Sequence, residues 1–105
     1  MDNKKLLDIV KNRLEENFKD MVVKIILFGS RVNGTAREYS DYDLIVITKR
    51  TIDWKVKDSL RSVLYELNIE YDILLSVQVF SEAELETITG RQPFIQNALE
   101  TGIAV

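Results

Sequence analysis

The sequence predicts a single α/β (α+β) domain with a small mixed β-sheet. Two apolar segments rich in β-branched residues, 22–28 and 43–48, are typical of buried strands. Apolar residues at helical spacing precede the first segment and follow the second. The chain has 105 residues, of which 46% are hydrophobic. This length suits one domain spanning residues 1–105.

The first helix is predicted over residues 5–18, where Leu7, Val10 and Leu14 recur at helical spacing. The strand over residues 22–28 follows and leads directly into Gly29. A polar connection then reaches the second strand, residues 43–48.

A second helix is predicted from Asp53, a typical N-cap, to about residue 68, and its apolar stripe includes Leu60 and Leu64. The segment 71–80 alternates strongly β-prone residues and predicts a third strand.

Two further helices are predicted near the end of the chain. Ser81 and Glu84 have the spacing of a capping box, which indicates a short helix to about residue 89. Pro93 suits the first turn of a last helix that ends near Gly102. The predicted order is α-β-β-α-β-α-α, with the helices mainly on one face of the sheet.

Composition removes several kinds of chemistry. The chain contains no cysteine and no histidine, which excludes thiol nucleophiles, disulfides, the usual zinc sites and imidazole acid–base catalysis. Carboxylates, hydroxyls and a bound metal must therefore carry any reaction.

Charge and hydropathy limit the partners. Acidic residues outnumber basic ones by 17 to 14, so the formal net charge is −3, which argues against extended nucleic-acid binding. No apolar run approaches the length of a membrane span, and the first residues lead into an amphipathic helix instead of a signal peptide. We therefore expect a cytoplasmic protein.

Two carboxylates stand at the start of the second strand with one residue between them. Side chains two apart on a strand share a face, so Asp41 and Asp43 should converge while Tyr42 turns away. Two hard oxygen donors at close range suit Mg²⁺, which usually takes one or two carboxylates together with substrate phosphates. The pair predicts metal-assisted phosphoryl or nucleotidyl transfer.

Gly29 and Ser30 follow the first strand and could hold phosphate oxygens. A glycine allows close approach of a ligand to the backbone, and the serine hydroxyl and neighbouring N–H groups can bind an anion. An ordinary turn is the alternative for these two residues. Arg31 could steady a phosphate or pair with Glu38 on the surface.

These residues carry a family resemblance. The run from Phe28 to Arg31 with Gly34, and the run from Ser40 to Leu44, resemble the signature of the polymerase-beta-like nucleotidyltransferase superfamily. The small size resembles its minimal nucleotidyltransferase (MNT) branch. A weaker likeness to the close of such domains lies in Pro93, Phe94, Ile95, Gln96, Asn97, Glu100, Gly102 and Ile103.

The resemblance implies roles for these positions. Gly29 and Ser30 would hold the triphosphate of a nucleotide such as ATP, and Asp41 and Asp43 would ligate Mg²⁺. Active members of the family usually add a third carboxylate from a neighbouring strand. Asp72 is our candidate for this ligand and for accepting the proton of the attacking hydroxyl, although Glu70 would share its strand face.

The resemblance also implies an enzymatic function with a partner protein. We expect transfer of AMP from ATP to an acceptor hydroxyl on a HEPN-domain protein, with this chain as the antitoxin of a two-gene module. The alternative is a non-catalytic antitoxin that neutralises such a partner by contact alone.

Overall fold

Two antiparallel strands, β1 (Val22–Phe28) and β2 (Tyr42–Thr48), form the centre of the sheet in the computed structural model. The structure describes residues 2–29, 32, 41–87 and 91–105. β3 (Leu75–Ser81) joins β2 in parallel, and β4 (Ile103–Ala104) joins β1 antiparallel. Within the described residues the strand order is β3-β2-β1-β4, so the predicted small mixed sheet is confirmed.

The first helix, α1 (Asn3–Asn17), begins two residues before its predicted start and ends one residue before its predicted end. The side chain of Asp2 caps it, because its Oδ1 accepts a hydrogen bond from the backbone N–H of Lys5 at 2.7 Å. Its buried face consists of Leu6, Leu7, Val10 and Leu14.

The second helix, α2 (Trp54–Glu70), has the predicted cap. Asp53 Oδ1 accepts from the backbone N–H of Val56 at 2.9 Å. The helix continues two residues past the predicted end, and it is joined to α1 by Arg13, whose guanidinium donates to the Glu70 carboxylate at 2.8 Å.

The predicted start of the third strand is wrong. Residues 71–74 form a turn, in which Asp72 has a φ of +52°, and β3 begins only at Leu75. Asn68 organises this turn, because its backbone oxygen accepts from the N–H of Ile73 at 3.1 Å and its side-chain oxygen accepts from the N–H of Leu75 at 3.0 Å. The polar contacts of Asn68 thus outweigh the local β propensity of the segment.

The capping box at the end of β3 is confirmed. Ser81 Oγ accepts from the backbone N–H of Glu84, whose carboxylate in turn accepts from the N–H of Ser81. The short helix that follows, α3 (Glu82–Leu85), ends before the predicted residue 89, and residues 88–90 lie outside the described part of the chain.

The last helix, α4 (Pro93–Thr101), has proline in its first turn and ends at Gly102 as predicted. Strand β4 was not predicted. Beyond its ladder with β1, the backbone groups of Val105 exchange two hydrogen bonds with those of Ile25, at 2.9 and 3.0 Å. A strand of two residues is too short for a periodic pattern to indicate it.

The sheet has two different faces. The two long helices, α1 and α2, cover one face, which confirms the prediction of helices mainly on one side. The core on this side combines the buried residues of both helices with Ile25, Leu27, Tyr42, Leu44, Val46, Leu75, Val77 and Val79. The opposite face has a smaller core of Ile26, Ile45, Ile47 and, from α4, Ala98.

None of the helices within the described residues is both long and apolar enough to cross a membrane.

Gly102 is expected to be intolerant of a side chain. A Cβ there would lie 2.4 Å from Ile26 Cγ2, 2.5 Å from the Ala98 oxygen and 2.9 Å from the Leu27 oxygen, two of which are backbone atoms that cannot rotate away. Gly102→Ala should therefore lower the free energy of unfolding by about 1–3 kcal/mol, the usual cost of overpacking. Urea denaturation of the variant and the unsubstituted protein measures this difference in the free energy of unfolding.

Glu100→Ala, an exposed substitution on the same helix, is the matched control and should change stability by no more than about 0.5 kcal/mol. Equal stability of Gly102→Ala and Glu100→Ala would contradict the close packing of α4 and β4 on β1.

Candidate active site

The end of β1 and the start of β2 meet at one edge of the sheet. Phe28, the last residue of β1, pairs with Asp43, the second residue of β2. The next residue after β1 is Gly29, so the turn that leaves β1 begins beside the Asp43 side chain. Register between the two strands therefore brings the two halves of the predicted motif together.

Side-chain alternation separates Tyr42 from the carboxylates, as predicted. Tyr42 is 4% exposed and belongs to the large core under α1 and α2. Asp43 is half-buried and lies on the opposite face, the one that also carries Ile45. Asp41, which immediately precedes β2, is exposed.

Gly29 is packed against Asp43. Its φ is +80°, a conformation that suits glycine, and a Cβ on Gly29 would lie 2.6 Å from Asp43 Oδ2 and 3.5 Å from Asp43 Cγ. The carboxylate therefore sits directly over the bare α-carbon. The backbone N–H of Val32 donates to the Gly29 oxygen at 3.0 Å.

The Asp43 carboxyl resists ionisation. Burial raises the pKa of Asp43 above its usual range, and the negative charge of Asp41 raises this pKa further. Asp41 lies near enough for its charge to act on Asp43. The predicted convergence of the two side chains on one cation stays a prediction.

The prediction of Asp72 as a third carboxylate has no support in the structure. Asp72 lies in the turn before β3 and not in the strand, where its side chain was expected to face Asp41 and Asp43. Glu70, the alternative, lies in α2 and is engaged by Arg13. Among the described residues, no three acidic or other metal-binding side chains come together.

The residue next to Asp43 on β3 is Ser76 and not one of the predicted carboxylates. Ser76 is the register partner of Asp43 across the parallel β2–β3 ladder. Ser76 lies within the predicted strand 71–80, but the sequence prediction missed it because only carboxylates were considered for this position. The buried alternation of Leu75, Val77 and Val79 was the available signal for the true strand.

Ser30, Arg31 and Glu38 lie outside the described residues, so the predicted phosphate contacts of Ser30 and Arg31 stay predictions.

The arrangement places a half-buried carboxylate directly beside a glycine at the end of β1. Two like-charged carboxylates favour a shared cation, and carboxylate oxygens are the ligands that Mg²⁺ prefers. Because Gly29 has no side chain, the Asp43 carboxylate can come close to the backbone at this point.

A family model, described as a nucleotidyltransferase domain, matches residues 7–105 of the chain. The matched region contains Gly29, Asp41 and Asp43.

Two relatives illustrate the sequence similarity. The chain is 44% identical over 84 residues to "Putative protein adenylyltransferase MJ1305" of Methanocaldococcus jannaschii, a match that covers 72% of this chain and 55% of that protein. It is 34% identical over 96 residues to "Probable protein adenylyltransferase MntA" of Haemophilus influenzae, a match that covers 90% of this chain and 82% of the relative. The chain thus spans only about half the length of the first relative.

Solved structures share the fold. One, described as a toxin–antitoxin with AMP-PNP, superposes with a TM-score of 0.66 at 22% identity. The superposed region covers 97% of this chain and 71% of the solved chain. A variant of the MntA–HpeT toxin–antitoxin superposes with a TM-score of 0.62 at 21% identity. The superposed region covers 92% of this chain and 69% of the solved chain.

The raised pKa of Asp43 predicts a pH-dependent cost to stability without metal. Because the pKa in the folded state exceeds the value of about 3.9 in the unfolded state, the folded protein loses stability as pH rises from that value through the folded-state pKa. Asp43→Asn, measured in EDTA by urea denaturation, should be more stable than the unsubstituted protein at pH 7 and should lose this advantage below about pH 3.9.

Asp8→Asn, on the exposed side of α1, is the matched control for the loss of one carboxylate outside the site. A constant difference between Asp43→Asn and the unsubstituted protein from pH 3 to pH 7 would contradict the account of Asp43.

A double-mutant cycle tests the contact between Gly29 and Asp43. Gly29→Ala should destabilise the protein through two effects, the positive φ, at about 1–2 kcal/mol, and the clash with Asp43 Oδ2. Only the second effect disappears when Asp43 is replaced by Ala, so Gly29→Ala should cost less in the Asp43→Ala background. Urea denaturation of the four proteins gives the coupling, and a coupling of zero would mean that the two residues do not touch.

Proposed function

Because the chain belongs to the nucleotidyltransferase domain family, we propose that it transfers AMP from ATP to a hydroxyl group of a partner protein. The observation that carries this proposal is the half-buried Asp43 carboxylate directly beside Gly29, with Asp41 two residues earlier and near enough to raise the pKa of Asp43. The names of the two relatives, both protein adenylyltransferases, support a protein as the acceptor.

Asp41 and Asp43 fit a divalent cation, Mg²⁺ in this proposal. Burial and the charge of Asp41 make ionisation of Asp43 costly, and a cation bound to the carboxylate removes that cost. When bound, the metal offsets the negative charge that develops around the reacting phosphorus. Asp41 and Asp43 hold it at the edge of the sheet, beside the backbone of Gly29.

The nucleotide would lie with its phosphates against Gly29. Gly29 follows β1 directly and lies beside Asp43, and Ser30 and Arg31 follow immediately in the sequence as the proposed further phosphate contacts. The solved toxin–antitoxin with AMP-PNP supports ATP as the nucleotide, since AMP-PNP is an ATP analogue. The acceptor hydroxyl would lose its proton to solvent as its oxygen bonds to the α-phosphorus, the bond from the α-phosphorus to the bridging oxygen of the β-phosphate would break, and pyrophosphate would leave.

The acceptor is proposed to be a HEPN-domain protein, with this chain as its antitoxin. The structural neighbours are toxin–antitoxin proteins, and MntA names both a neighbour and the relative from Haemophilus influenzae. The transferred AMP would block the partner's own activity at the modified hydroxyl.

One observation favours a second candidate function, neutralisation of the partner by contact alone. Within residues 2–29, 32, 41–87 and 91–105, no third carboxylate joins Asp41 and Asp43. A site with two carboxylates has fewer groups to support catalysis, so binding without transfer is the competing proposal.

Labelled ATP distinguishes the two functions. The protein is mixed with Mg²⁺, ATP labelled at the α-phosphate and the product of the adjacent gene. Covalent label should appear on that product, and Asp41→Asn and Asp43→Asn should each reduce the initial rate by roughly a hundredfold or more, since metal stabilisation of the transition state is worth several kcal/mol.

Asp8→Asn should retain full labelling, because Asp8 is exposed on α1 and is no part of the proposed site. If the Asp41 and Asp43 variants neutralise the partner as well as the unsubstituted protein does, and no label appears with any of them, contact alone is the function.

A further inference from the structure

Ser76 lies one strand away from the carboxylate pair. In the parallel ladder between β2 and β3, Ser76 is directly in register with Asp43. Neighbouring strands are about 4.7–4.9 Å apart, and residues in register on adjacent strands point to the same face. The Ser76 side chain therefore occupies the position next to Asp43 on the next strand.

Burial along β3 supports this orientation. Leu75 and Val77, on either side of Ser76, are buried in the large core with Tyr42 and Leu44. Ser76 is half-buried on the other face of the sheet. This is the face of Asp43, so Ser76 borders the proposed metal site.

A carboxylate at position 76 would be well placed as a third ligand, whereas a serine hydroxyl carries no charge. The two acidic residues that precede β3 do not compensate. Asp72 lies in the turn and Glu70 is paired with Arg13, so neither joins Asp41 and Asp43.

We propose that Ser76 occupies the place of a third metal-binding carboxylate, and that the divalent ion therefore binds firmly only together with the nucleotide. This inference rests on the proposed function, because it concerns the same site. Affinity at oxygen-ligand sites rises with the number of charged ligands. With two carboxylates from the protein, the phosphates of the nucleotide supply the charge that position 76 lacks.

The coupling is reciprocal. If the nucleotide increases the affinity for the metal by some factor, the metal increases the affinity for the nucleotide by the same factor. Neither the metal nor the nucleotide would then bind tightly without the other.

Mn²⁺ serves as the probe, because free Mn²⁺ is measured directly by electron paramagnetic resonance. The full chain is titrated with Mn²⁺ in the absence and presence of AMP-PNP at saturating concentration, with AMP-PNP alone as a blank. The unsubstituted protein should bind Mn²⁺ weakly by itself and more tightly with AMP-PNP. Ser76→Asp should bind Mn²⁺ without nucleotide at least roughly tenfold more tightly, following the dependence on ligand charge.

Two controls isolate position and charge. Ser76→Asn has nearly the shape of the aspartate variant without its charge, and it should bind Mn²⁺ like the unsubstituted protein. Gln78→Asp adds the same charge on the same strand face but beside Ile45, about 6.6 Å further along the strand. It should gain much less affinity than Ser76→Asp.

A thermal readout confirms that each variant is folded. Ser76→Asp adds a third negative charge near Asp43, so its Tm in EDTA should fall, and Mn²⁺ should raise that Tm more than it raises the Tm of Ser76→Asn.

The outcomes separate the inference from the proposed function. If Ser76→Asp binds Mn²⁺ no better than Ser76→Asn or Gln78→Asp, while the unsubstituted protein still binds Mn²⁺ with AMP-PNP, the inference is overturned and the proposed function stands. Tight Mn²⁺ binding by the unsubstituted protein without AMP-PNP also overturns the inference. If the unsubstituted protein binds no Mn²⁺ beyond the AMP-PNP blank, both fail.

Discussion

The contact between the Asp43 carboxylate and the bare α-carbon of Gly29 depends on one register, that between β1 and β2. Phe28 pairs with Asp43, so the turn after β1 begins where β2 presents its carboxylate. A slip of one residue would send Asp43 to the opposite face and Tyr42 into its place. The site therefore exists only while this register holds.

The two cores hold the register. Leu27 and Leu44 pair on the face covered by α1 and α2, and Ile26 and Ile45 pair on the face covered by α4. A slip would exchange residues between a large core and a small one, and it would move the charge of Asp43 into apolar packing. Packing on both faces thus fixes a polar site at the edge of the sheet.

Much of this architecture is predictable from sequence because its signals are local. The bounds of β1 were predicted as the structure has them, and the caps at Asp53 and Ser81 follow from residue type and spacing. The separation of Tyr42 from Asp43 on opposite faces follows equally from the two-residue period of a strand. Each of these predictions needs only a few neighbouring residues.

The failures come from interactions that span longer distances. Residues 71–74 have β propensity, yet α2 and the two hydrogen bonds accepted by Asn68 make them a turn, which removes Asp72 from the strand and brings Ser76 beside Asp43. Strand β4 forms only because β1 offers it an edge. The raised pKa of Asp43 likewise requires burial that is created by the fold.

The central claim is that Asp41 and Asp43 together hold a divalent cation beside Gly29. A crystal structure of the protein with Mn²⁺ and AMP-PNP, recorded with anomalous scattering from manganese, tests it most directly. We predict an anomalous peak within coordination distance of both carboxylates, with the phosphates of the nucleotide against Gly29. A manganese ion bound elsewhere, with Asp43 in contact only with protein atoms, would contradict the account.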